Sequence, residues 1–235
     1  MNQPKIIAIE TSSRLGSVAL AEGPNLLEER TFATQTEHGR ELLPTLDAMC
    51  RARGWRAADV SQCYLSIGPG SFTGLRVGVT FARAAALAGK LQIVAVPTLA
   101  VIAENCAALS LPPSPLAVIL DAKRQQVFGG VLEWSADGYQ CVIDAALTAP
   151  AELLSASPQP VAVTGEGISY HREAVLAAGI RVIEESLWQP RATMVHRIGW
   201  RMAQRGEFTA ARSLIPLYIR RPEAEELWEK RQAGK

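Results

Sequence analysis

Cysteine and histidine are scarce in this chain, and neither is clustered. Cys50, Cys63, Cys106 and Cys141 stand far apart with no Cys-x-x-Cys pair, and His38, His171 and His196 are equally dispersed. Such spacing excludes a zinc knuckle, a dithiol redox motif and a disulfide framework, and it provides no helical histidine pair for a metal. The cysteines are expected to be small buried hydrophobes and the histidines surface or capping groups. An excess of one charge is also lacking: the formal net charge is +1, so no whole-chain field draws the protein to nucleic acid or to an anionic membrane. Long apolar runs are missing too, because Pro97 and the cluster Pro112, Pro113 and Pro115 break the uncharged stretches before any could span a bilayer. The run Ile6 to Ile9 ends at Glu10, too short for the core of a signal peptide, and the expected location is the cytoplasm.

What remains is an ordinary globular composition. The 235 residues are 48% hydrophobic and 20% charged, enough to bury one large core or two small ones. The most informative stretch is Gly68-Pro69-Gly70-Ser71-Phe72-Thr73-Gly74-Leu75-Arg76-Val77-Gly78, which joins a strand expected over 63–67 to a helical pattern reaching Ala88. Gly68 and Gly70 permit positive φ, Pro69 presets a turn, and Ser71 can cap the first helical amides. The turn lacks both the Lys-Ser/Thr ending of a P-loop and the glycine spacing of a dinucleotide fingerprint, so it reads as structural. Gly74, Gly78, Ala82 and Ala86 recur every fourth residue and place small side chains on one helical face. That face can receive another helix or can pack on the protein's own sheet.

The remaining pattern repeats itself. Residues 5–10 form an apolar strand ending in Glu10, followed by a polar turn over 11–15, strands over 16–21 and 26–33, and a helix over 39–53. A strand over 93–96 and a helix over 98–109, capped by Thr98, close this half. Beyond the prolines, 116–121 is again an apolar strand ending in an acid, Asp121, with a polar turn and a strand over 126–133. Asp137-Gly138 turns into a strand over 139–143. A strand over 161–164 leads through Gly165 and Gly167 into a helix over 170–178. The expected organisation is α/β: two similar halves, 1–110 and 114–215, each a mixed sheet with packed helices, then a tail helix over 216–235. That tail carries Leu227 and Trp228 as docking residues and has its acids first and its bases last, as the helix dipole favours.

Ile7-Ala8-Ile9-Glu10-Thr11-Ser12, the glycine-rich run, Leu120-Asp121-Ala122-Lys123 and Pro216-Leu217-Tyr218-Ile219-Arg220 together resemble the bacterial TsaB family along nearly the whole chain. The resemblance implies the actin-like fold of sugar kinases and the Hsp70 ATPase, built from two ribonuclease-H-like halves. It also implies a scaffold role in making threonylcarbamoyladenosine at the adenosine 3′ of the tRNA anticodon. In that family the catalyst is the larger paralogue TsaD, which holds its metal through paired histidines on an early helix; the comparable helix here, expected over 98–109, has none. The implied partners are a TsaD-like paralogue and a TsaE-like ATPase, with tRNA met only through the complex and no membrane.

The stripe residues Gly74, Leu75, Gly78, Val79, Ala82 and Ala86 are the expected partner interface, and the chain alone is expected to form a homodimer through them. No catalytic residue, metal or obligatory cofactor is expected. Glu10, Ser12, Asp121, Gly165 and Gly167 occupy the places where actin-like folds handle a nucleotide and are the candidates for weak ATP or ADP binding. A carboxylate ending a strand can equally bond a neighbouring turn. Arg220 and Arg221 are candidate tRNA contacts in the complex. The competing reading is an independent actin-like ATPase or small-molecule kinase using Glu10 and Asp121, and it rests on fold analogy.

Overall fold

The computed structural model describes residues 3–35 and 37–220. In the first half, β1 (Lys5–Glu10) pairs antiparallel with β2 (Ser17–Glu22), which pairs antiparallel with β3 (Asn25–Thr31). After α1 (His38–Ala52), β4 (Val60–Ser66) adds parallel to β1; after α2 (Phe72–Ala88), β5 (Gln92–Val96) adds parallel to β4. The strand order is therefore β3-β2-β1-β4-β5. Buried from Ile6 to Glu10, β1 has both faces covered, which is why its sequence is a continuous apolar run rather than an alternating one. The edge strand β3 exposes charged side chains instead, including Glu28 and Arg30, and so discourages further pairing.

The second half repeats the plan. Following α3 (Thr98–Glu104), β6 (Leu116–Asp121), β7 (Val127–Ser135) and β8 (Gly138–Thr148) form an antiparallel meander. α4 (Pro150–Leu154) then leads to β9 (Ala162–Thr164), which pairs parallel with β6, and α5 (Arg172–Ala177) precedes the short β10 (Arg181–Val182) at the edge. The order β10-β9-β6-β7-β8 mirrors that of the first sheet. A last helix, α6 (Ala192–Gln204), follows. Two mixed sheets of matching order, each layered with helices, make this the actin-like fold of two ribonuclease-H-like halves. No described helix is long and apolar enough to cross a membrane.

Each sheet lies within one sequence segment, but two of the helices are exchanged. α3 packs its Leu99, Ile102 and Ala103 into the core of the second sheet beside Leu116, Val118 and Leu120. α6 returns to the first sheet, where Ala192, Val195 and Ile198 meet Ile6, Ala8, Tyr64 and Val94. Where these helices cross, Glu104 is 1% exposed and receives Arg201 through two hydrogen bonds of 2.9 and 2.8 Å, with Arg197 at 3.0 Å.

Several expectations change. The strand after Gly138 extends to Thr148, and the expected 98–109 helix is α for Thr98–Glu104 and 3-10 for Asn105–Ala108. Thr98 is not the cap: Pro97 holds that position, and the Thr98 hydroxyl accepts from the Gly68 amide at 3.0 Å. All three histidines are buried rather than on the surface, and His171 stands at the N-cap position of α5, one of the two expected places. His196 sits against Tyr64 with its Nε2 2.9 Å from the Gly23 carbonyl oxygen, and burial holds it below the usual histidine range. Among the cysteines, Cys63 and Cys106 are buried as expected, whereas Cys141 is exposed. Of the expected tail helix, only 216–220 is described and is irregular there; 221–235, with Arg221, Leu227 and Trp228, lies outside the described residues.

Candidate functional site

The glycine-rich run carries the chain from β4 into α2. Gly68 takes a φ of +114°, where a β-carbon would also stand 2.9 Å from the Leu217 carbonyl oxygen. Gly70 needs no positive φ; it is required by space, since a β-carbon would meet the Ser12 carbonyl oxygen at 2.3 Å. Ser71 caps α2 as expected, its hydroxyl accepting from the Gly74 amide at 3.3 Å, while its own amide donates to the Ser12 carbonyl at 2.7 Å. The small-residue stripe then continues against the same turn. A β-carbon on Gly74 would lie 1.9 Å from the Thr11 carbonyl oxygen, and one on Gly78 would lie 2.7 Å from the Thr11 hydroxyl.

This placement turns the residues of the expected partner interface inward. Gly74, Leu75, Gly78, Val79 and Ala82 are buried in the chain's own interior, and Ala86 is half-buried against the same core. The close neighbour that the stripe admits is the β1–β2 turn of this chain, not a second molecule. The opposite side of α2 is the open one. With α1 it forms a groove of about 750 Å³ whose walls include Leu42, Leu43, Phe72, Val77, Phe81 and Ala84. Leu43 is 61% exposed there. The Arg76 guanidinium lies 3.7 Å over the Phe72 ring at one end of the groove. Val77, Phe81 and Ala85 follow the same four-residue period as the glycines, one step around the helix, and that second stripe is the signal in the sequence for this face.

The two strand-ending acids differ sharply. Glu10 is completely buried, and its Oε1 accepts from the Ser12 amide and, at 2.6 Å, from the Ser12 hydroxyl. Its Oε2 makes no hydrogen bond, although the similarly unpartnered Ser66 hydroxyl lies close enough to favour the ionised form. Burial outweighs these hydrogen bonds and raises the carboxyl above the ordinary glutamate range. Glu10 and Ser12, expected among the nucleotide contacts, therefore close a local turn and do not face solvent. The alternative use of a strand-ending carboxylate, bonding its own turn, is the one observed.

Asp121 stays partly open. Its Oδ1 accepts from the Lys123 amide at 3.2 Å and lies 3.3 Å from His171 Nε2. Glu166, in the turn after β9, is raised by burial; a hydrogen bond from the Asp121 backbone opposes that rise, the Asp121 charge adds to it, and Arg14 of the first half acts against it. Gly165 and Gly167 cross directly over β6: β-carbons there would meet the Ile119 carbonyl oxygen at 2.3 and 2.9 Å. Close backbone approach, rather than an open loop, explains both glycines. The structure thus gathers Asp121, Gly165 and Gly167 with His171 and Glu166, and leaves Glu10 and Ser12 sealed in the other half. His171 and Glu166 carry no sequence signal beyond their residue types. Among the described residues, no group of three His, Cys, Asp or Glu side chains is placed to hold a metal.

Comparison with known proteins adds the family. A family model described as TsaD, tRNA N6-adenosine threonylcarbamoyltransferase, matches residues 31–228. The tRNA threonylcarbamoyladenosine biosynthesis protein TsaB of Bacillus subtilis is 28% identical over 229 residues, spanning 95% of this chain and 97% of that protein. TsaB of Escherichia coli is 24% identical over 92% of this chain and 94% of its own length. The solved structure of YeaZ from Pseudomonas aeruginosa has the same fold, with a TM-score of 0.79 over 92% of this chain and 99% of that one, at 22% identity. The match over most of the chain and the end-to-end likeness to TsaB proteins give the conclusion: the chain belongs to the tRNA N6-adenosine threonylcarbamoyltransferase family and, within it, to the TsaB proteins.

Proposed function

We propose that this chain is a non-catalytic scaffold subunit in the synthesis of threonylcarbamoyladenosine in tRNA. It pairs through the α1–α2 groove with a larger TsaD-like paralogue, and the pair recruits a TsaE-like ATPase. Transfer of the threonylcarbamoyl group takes place on the paralogue, and tRNA meets this chain only within the complex, in the cytoplasm. The observation that carries the reading is the groove itself: an apolar strip between two helices, open beside Leu43 and Phe81, on a fold whose first strand-ending carboxylate is buried. A two-helix face of this kind fits a matching helix pair, and a paralogue of the same fold supplies one. The names of the TsaB relatives support the pathway, and the apolar character of the groove supports a protein partner over a charged small molecule. Without the paralogue, a second copy of the chain covers the same groove, giving a homodimer.

The test is co-purification of this chain with the TsaD-like protein of the same cell, followed by threonylcarbamoyl transfer to tRNA by each protein alone, by the pair, and by the pair with the TsaE-like ATPase. Activity that requires both proteins and is absent from this chain alone supports the scaffold role. Thr80→Arg, at an exposed groove position, is expected to abolish the pairing and to leave the isolated chain monomeric in sedimentation. Full transfer activity by the paralogue without this chain, or undisturbed pairing by Thr80→Arg, would overturn it.

A further inference from the structure

Past α6 the chain runs back over the first half and then crosses to the second. Thr209 donates its amide to the Ile93 carbonyl at 2.8 Å beside the edge of β5, and Leu214 is 1% exposed in the core beneath α2. Leu217 donates to the Ile67 carbonyl at 2.7 Å, and its own carbonyl oxygen occupies the space left by Gly68. Tyr218 comes next. Its ring packs on Phe72 at 5.0 Å between centroids, and its hydroxyl accepts from Arg76 Nε at 3.0 Å. Phe72 and Arg76 are walls of the α1–α2 groove. Two residues later, Arg220 has reached the second half, where its guanidinium donates to the Ala122 carbonyl and, at 2.6 Å, to Gln126 Oε1.

The loop that Arg220 grips is itself unusual. Lys123, Arg124 and Gln125 have φ of 60°, 53° and 60°, three consecutive non-glycine residues in the left-handed region. Such backbone is costly and persists only where its surroundings hold it. Here the Ala122 amide donates to the Gln126 carbonyl at 3.0 Å, the Gln126 amide to the Lys123 carbonyl at 3.1 Å, and Asp121 accepts from the Lys123 amide. Arg220 adds the tie from outside the half. This loop also adjoins Asp121 and His171, so the arginine is tied in beside that pair.

We propose that residues 214–220 form a strap that couples occupancy of the α1–α2 groove to the arrangement of the two halves. The inference rests on the groove as the partner's docking face, and it adds the route by which docking is felt at the Asp121 loop of the second half. Two residues of chain reach at most about 7 Å, so Tyr218 cannot leave its place against Phe72 and Arg76 without drawing on the Arg220 anchor. A partner that covers Phe72 and Arg76 holds the Tyr218 stack, which holds Arg220 on the left-handed loop. Linkage is reciprocal: a firm Arg220 anchor must then favour docking by the same factor.

The test measures affinity for the TsaD-like protein by titration calorimetry, with amide exchange at Ala122 and Gln126 as a second readout. Arg220→Ala removes a side chain whose hydrogen bonds among the described residues go to the second half's loop, yet it is expected to weaken pairing about fivefold or more, the low end of measured couplings. Gln126→Ala, which deletes one acceptor of the same anchor at a half-buried position, should weaken it in the same direction with thermal unfolding unchanged. Docking should slow exchange at Ala122 and Gln126 in the unsubstituted chain and not in Arg220→Ala. Pairing within twofold of normal for both variants, or exchange in the loop unaffected by docking, would overturn the coupling. Normal pairing by Thr80→Arg would instead remove the docking face on which it rests.

Discussion

Glu10 illustrates how a residue type in a suggestive place acquires its role from its surroundings. Buried, with Oε1 committed to Ser12 and Oε2 unpartnered, it is more easily protonated in the folded chain than at its ordinary value of 4.5. A group raised in this way stabilises the fold fully below the unfolded value and loses that contribution as pH rises through the folded one. Glu10→Gln keeps the acceptor for Ser12 and supplies a neutral donor for the Ser66 hydroxyl. Denaturant titrations are expected to show the variant near the unsubstituted chain at pH 4, and more stable by about 1 kcal/mol or more at pH 8. Equal stability at both pH values would mean that burial does not raise the carboxyl. The acid's position at the end of an apolar strand was legible in the sequence. Its isolation was not, because it depends on the glycines of α2 drawing Thr11 and Ser12 down over it.

At the scale of elements, α2 has two faces with the same period and opposite fates. The glycine face is locked against the β1–β2 turn, so Gly74→Ala puts a methyl group into a backbone oxygen and is expected to cost about 3 kcal/mol of stability, measured by chemical denaturation. Thr80→Arg, on the groove face, should leave the melting temperature of the monomer within the small range typical of exposed positions while removing the docking partner. A loss of pairing by Gly74→Ala would thus report unfolding, and only the groove variant separates docking from folding. The helical period told which residues share a face. It did not tell which face meets the sheet, because Gly and Ala suit a tight internal contact as well as a helix partner. Two further elements, α4 and α6, fall where the sequence reading assigned no structure. The interior face of α6 mixes Val195 and Ile198 with His196 and Gly199, which weakens the apolar stripe.

For the whole molecule, the exchange of α3 and α6 between the halves ties them together, as does the strap. Glu104 stands at that crossing with two arginines, and removing it would leave both without their shared partner. Glu104→Ala is expected to cost about 3 kcal/mol, whereas Arg197→Ala, which truncates a half-exposed partner, should cost under about 1 kcal/mol. Urea unfolding curves distinguish the two, and equal costs would place the crossing's stability in packing rather than in the ion pairs.

The sequence by itself determined the repeated strand, acid, turn and strand, the capped start of α2, and the membership of the chain among TsaB-like proteins. These are local or near-local properties: an apolar run buried on both faces, a serine before a helix, a glycine where the backbone must pass closely. Only the tertiary structure decided that the small-residue stripe is internal, that the first acid is sealed, and that Arg220 reaches from one half to the other. The physical reason is common to all three. Periodicity and residue type specify what a side chain can tolerate nearby, and the packing of distant segments specifies what arrives there.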